Sequence, residues 1–129
     1  MTDRAFEAEN AEATAALADL AATLTTDELT MDLGGGWSVA MAFGHLAFWD
    51  AWHAARWRFA AEHGETCPPP APGVVTNRNN DALEATWRAL PADAAVALCL
   101  DAAAAMDILA ASLTDAQVDA ARAAGGPNW

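Results

Sequence analysis

One stretch limits the fold of this chain more than any other: GWSVAMAFGHLAFWDAWHAARWRFAAEHG, residues 36–64. Ser38 follows a glycine run and Trp37, and its hydroxyl can accept from a backbone amide two or three residues on, which makes it a good helix N-cap. No proline follows, and Gly64 suits a C-cap because it tolerates the left-handed conformation that ends many helices. Ser38 to His63 therefore reads as one helix of 26 residues, roughly 39 Å long at about 1.5 Å per residue.

Winding that segment at about 100° per residue gathers His45, Trp49, Trp52, His53 and Arg56 into one arc. Leu46, Phe43 and Trp57 extend the same side. Ala47, Ala51, Ala54, Arg58 and Glu62 fall opposite, small and polar enough to face water or a close neighbour. Both imidazoles are thus expected to point inward. An aromatic wall carrying imidazoles and a guanidinium is either a ligand pocket or a core of unusual polarity.

The rest of the composition points to one all-helical domain spanning residues 1–129. Alanine fills 36 positions, Ile108 is the one isoleucine, and tyrosine and lysine are absent. The strongest helix former dominates and β-branched residues are scarce. Eighteen acids against six arginines leave a formal charge of −12, which repels phosphate backbones and anionic lipid heads, so neither nucleic acid nor a membrane is an expected partner. The apolar run from Val39 to Trp49 is broken by His45 and stopped by Asp50, short of the roughly 18 residues of a membrane span. An acidic, polar amino terminus is unlike a secretory leader, and a cytoplasmic location is expected. Cys67 and Cys99 form no CxxC pair. Cys99 falls on an apolar stripe, whereas Cys67 beside Pro68-Pro69-Pro70 could be exposed.

Phe6, Ala13, Leu17, Leu20 and Leu24 recur at helical intervals and predict a first helix from Thr2 to Leu24. Thr26 to Leu29 resembles a short capped turn, and Asp32 to Gly36 a loop. TCPPPAPGVV reads as a stiff, non-helical linker. Asn77 to Asp81 would then cap a helix reaching Leu90, with Leu83, Trp87 and Leu90 on one side. Pro91 starts the next helix, whose seam is Val96, Cys99, Ala103, Met106, Ala110 and Leu113. Thr114 and Gln117 form a capping box for a helix from Asp115 to Ala124, stopped by Gly125-Gly126-Pro127. Asn128-Trp129 looks like the doorway of a further helix.

His45 and His53 lie eight residues apart, about 12 Å along the axis, too far to grip one ion unaided, and no HxxxH or HExxH is present. His45 alone reads as a structural imidazole. Ser38 and Ser112 sit at helix ends outside any GxSxG. Asp50 lies on the flank of the inward face, where it could orient a histidine from behind or pair at the surface. Arg56 could clamp an anionic substrate or pair with a carboxylate.

Gly36-Trp37-Ser38-Val39 together with His45-Leu46-Ala47-Phe48-Trp49-Asp50 resembles the second-helix signature of the DinB-like superfamily, including the amino-terminal domains of mycothiol-dependent maleylpyruvate isomerases. The resemblance spans nearly the whole chain. It implies an up-down-down-up four-helix bundle and a divalent metal, zinc or nickel, held by three histidines, the first of them His45. The other two would come from an HxxxH pair on a last helix, which this sequence does not contain, so the resemblance implies a fourth bundle helix truncated or absent and a homodimer that covers the gap.

Two functions follow. In the first, a metal- and thiol-dependent transferase or isomerase acts on a small molecule, with His45 on the metal, Trp49, Trp52, His53 and Arg56 lining the substrate pocket, Asp50 behind them, and a low-molecular-weight thiol such as mycothiol as co-substrate. In the second, a metal-free bundle binds a small hydrophobic or reactive molecule, or a protein partner.

Overall fold

The chain is all-α apart from one small hairpin. The computed structural model describes residues 1–126, in the order α1 (Ala5–Thr23), α2 (Thr26–Leu29), β1 (Asp32–Gly34), β2 (Trp37–Ser38), α3 (Val39–His63), α4 (Gly73–Ala89), α5 (Ala92–Ser112) and α6 (Asp115–Ala123). The Pro127 stop and the helix expected to begin at Asn128-Trp129 fall outside the described residues.

Local chemistry accounts for most of the boundaries. The Ser38 hydroxyl accepts from the Met41 amide at 3.2 Å, and Gly64 closes α3 with φ at 65°. Without a side chain it takes that conformation at little cost. Thr25 and Thr114 cap α2 and α6 through reciprocal boxes with Glu28 and Gln117, each supplying amides that the first helical turn cannot satisfy itself. Three boundaries differ from expectation. Helix α1 begins at Ala5 instead of Thr2. The stretch from Asp32 to Ser38 is an antiparallel pair, β1 with β2, turned at Gly35-Gly36. Helix α4 begins at Gly73 with Pro72 as its N-cap, so Gly73-Val74-Val75 belong to the helix and the proline-rich strap ends earlier. Proline fixes φ near the helical value and stops a helix from extending backwards, yet it suits the position just before a new one.

Two apolar clusters order the helices. Ala40 and Phe43 of α3 meet Ala95 and Cys99 of α5, with Leu17 and Ala21 of α1 and Leu24 just after it against them. At the other end Trp57 and Ala60 of α3 join Ala110, Leu113, Val118, Cys67 and Phe6. The low-numbered ends of α3 and α5 share one cluster and their high-numbered ends the other, so these helices run the same way and α1 runs opposite. Helix α4 also opposes α3, since Trp87 packs near Gly44 while Asn80 reaches Trp49. Direction therefore alternates through α1, α3, α4 and α5, with α3 and α5 parallel. The single Leu90-Pro91 step forces α5 to reverse on α4. Four helices of 17 residues or more stand within the described residues.

The buried seam of α3 differs from the expected one. Ala40, Phe43, Gly44, Ala54, Trp57 and Ala60 are buried, while Leu46 is 42% exposed. Ala54, assigned to the outer side, is in the core because its small side chain lets α5 approach closely. The imidazole arc is a half-buried flank turned toward α4 and the proline strap. Leu20 is also exposed. Helix α5 alone among the described helices is long and apolar enough to cross a membrane; here it packs on α3 and α1 through Ala95, Cys99, Ala103 and Ala110.

Candidate functional site

The flank of α3 that faces α4 carries His45, Trp49, Trp52 and His53 at successive turns, and these four line one cavity of about 280 Å3. Thr76 of α4 and Pro70-Ala71 of the strap form its other sides. The spacing of four, seven and eight residues puts the side chains on one helical face, and the prolines hold the strap extended across them. Trp49 and Trp52 meet edge to face with ring centroids 5.4 Å apart, and Trp52 meets His53 likewise at 5.2 Å, the arrangement favoured by ring quadrupoles.

Asn80 orders one end of this wall. Its Oδ1 accepts from Trp49 Nε1 at 2.8 Å, and its side chain also hydrogen-bonds His45. The His45 ring stands edge-on to Trp37 and Trp87, at 5.7 and 5.2 Å between centroids. Burial holds the His45 imidazole below its usual pKa, with the Asn80 bond opposing that shift. The ring is half-buried in the seam between α3 and α4, on an unbroken helix.

Arg56 orders the other end. Its Nη1 donates to His53 Nδ1 at 3.0 Å, its guanidinium lies 4.9 Å over the Trp52 ring, and Nη2 donates to the carbonyl of Pro68. A guanidinium has donors only, so His53 Nδ1 accepts and the neutral ring keeps its proton on Nε2. Burial, and then the Arg56 charge, push His53 below the ordinary imidazole pKa, which agrees with that neutral form.

Asp50 lies elsewhere. It lines a separate cleft of about 180 Å3 with Asn10, Thr14, Leu17, Met106 and Asp107, about 140° around the helix from His45. Burial, and then Asp107, raise its carboxyl above the usual range. The structure therefore brings together His45, Trp49, Trp52 and His53, sets Arg56 just behind them, and separates Asp50. Cys67, which beside the proline run could have been exposed, is buried at 2% exposure, with Cys99 at 0%. Burial raises both thiols, that of Cys99 to about 11, away from the thiolate form that reacts.

Sequence reasoning missed Thr76, Asn80 and the strap. Thr76, Asn80, Leu83 and Trp87 follow one another at intervals of four, three and four, so carrying the Leu83-Trp87 stripe one further turn toward the amino terminus would have found the first two.

No protein-family model matches this chain, and no curated protein or solved structure matches it.

Proposed function

We propose that this chain is a helical small-molecule-binding protein whose site is the cavity between α3, α4 and the proline strap. One observation carries the reading: two indoles, two imidazoles and a threonine converge on a single space of about 280 Å3. Binding sites are typically concave and mostly apolar, with a few fixed polar groups, and this one is sized for a small ligand. Both imidazoles on the wall have a side chain behind them, Asn80 for His45 and Arg56 for His53, as preorganised recognition requires.

The test is titration with indole, followed through the indole N–H resonances of Trp49 and Trp52. Saturable shifts at these two signals, weakened at least tenfold by Thr76→Trp, which fills the cavity, are expected. Shifts absent from both signals, or unaffected by Thr76→Trp, would overturn the reading.

A second reading, the DinB-like metal- and thiol-dependent transferase, draws on His45 itself. A neutral imidazole oriented by a side chain behind it is the form that ligates metals. Yet among the described residues no three His, Cys, Asp or Glu side chains converge on one point, and zinc sites use three or four protein donors. The described residues alone do not supply a donor set that fits a resident ion. Metal analysis separates the two: near-stoichiometric metal that His45→Ala removes favours the second reading, and metal content independent of His45 favours the first.

A further inference from the structure

Within the cavity just assigned, and resting on that assignment, we propose a ligand class: a small planar aryl carboxylate, its ring against Trp49 and Trp52 and its anionic head toward His53.

The electrostatics argue for the anion. The chain holds 18 acids, yet no carboxylate is among the residues lining this cavity. Arg56, directly behind the wall, has no carboxylate partner among the described residues; its contacts are the His53 ring, the Trp52 face and the Pro68 carbonyl. Arg4 pairs with Glu7 and Asp115, and Arg88 with Glu84; of the arginines outside those pairs, Arg56 is the one bonded to a residue that lines this cavity. A half-buried guanidinium without a counter-charge attracts an anion.

The tautomer sets the contact. Because Arg56 occupies Nδ1, the one nitrogen of His53 free to meet a ligand is Nε2, and it carries hydrogen. The wall therefore presents a donor backed by a positive charge, suited to a carboxylate oxygen. A cationic ligand would meet that donor and the guanidinium behind it, both unfavourable. Arg56 acts here as a positioning residue, acting on the ligand through His53.

The aromatic half follows from the lining. Trp49 and Trp52 both line the space and stand edge to face at 71°, a wall on which a flat conjugated ring gains quadrupole contacts that a flexible chain does not. A volume near 280 Å3 suits one ring or two fused rings.

Calorimetric titration with benzoate, benzamide and hexanoate tests the class, with indole as the control for the cavity itself. The expected result is benzoate binding at least tenfold more tightly than either of the others. Arg56→Gln should reduce the benzoate-to-benzamide affinity ratio to near one. Histidine 15N shifts give a second readout that needs no ligand: His53 should be in the Nε2–H form in the parent and a mixture of tautomers in Arg56→Gln. If indole binds but benzoate gains nothing over benzamide, the carboxylate class falls and the cavity stands. If hexanoate matches benzoate, the aromatic half falls. If indole fails as well, the site assignment falls with it.

Discussion

Trp49 and Asn80 tie α3 to α4, the indole Nε1 donating to the amide Oδ1 at 2.8 Å. The same side chain also acts on His45, so one residue of α4 meets two rings of α3. Asn80→Ala strands a partly buried N–H and should cost about 1–3 kcal/mol. For a domain of this size that lowers Tm by several degrees. Asn80→Asp, which keeps an acceptor, should lose less. Thermal melts of the three proteins check the order.

Gly44 sits against Trp87 so closely that an added Cβ would lie 3.2 Å from Trp87 Cδ1 and 3.4 Å from Leu90 Cδ1. Gly44→Val adds two further methyls at that contact and should cost about 1–3 kcal/mol through overpacking, seen in urea unfolding as a lower midpoint. Near-ultraviolet circular dichroism should also change, because Trp87 packs with Trp37 and Phe48.

Asp50 opposes folding at neutral pH. Its folded pKa is raised from the ordinary 3.8 by burial and by Asp107, so the folded state binds the proton more tightly than the unfolded one. That contribution is fully present below 3.8 and is lost as pH rises through the raised value. Asp50→Asn should therefore increase Tm at pH 7, with the gain shrinking to nothing as pH falls below that ordinary value. A constant gain at all pH would contradict the linkage.

His45 and His53 act in the opposite sense. Both are held below the usual imidazole value of 6.5, chiefly by burial, so their contribution is present above that value and is lost as pH falls through the depressed ones. The parent should lose stability on acidification below 6.5, and His45→Gln with His53→Gln should flatten that part of the Tm profile. An unchanged slope in the double variant would count against buried neutral rings.

The extent and ends of α3 were legible because Ser38, Gly64 and the run between them are local signals of capping and propensity. The side of α3 that faces the core was less so. An alanine such as Ala54 reads as inert on a helical wheel, yet its small volume is what admits α5, and only the partner's position reveals that. The cavity residues on α3 were legible through their spacing, since side chains one and two turns apart must share a flank. Asp50 and the partners Asn80 and Thr76 were not, because which neighbour fills which flank is a property of how α1, α4 and α5 are arranged. The start of α4 was hidden by weighting Asn77 to Asp81 as caps when the proline one turn earlier had already begun the helix.

Both apolar clusters draw on α3, Ala40 and Phe43 at one end and Trp57 and Ala60 at the other. Because both clusters are anchored on this one rod, the two ends of the molecule should open as one cooperative unit. Amide hydrogens along its middle should exchange together, at the slow rate set by global unfolding.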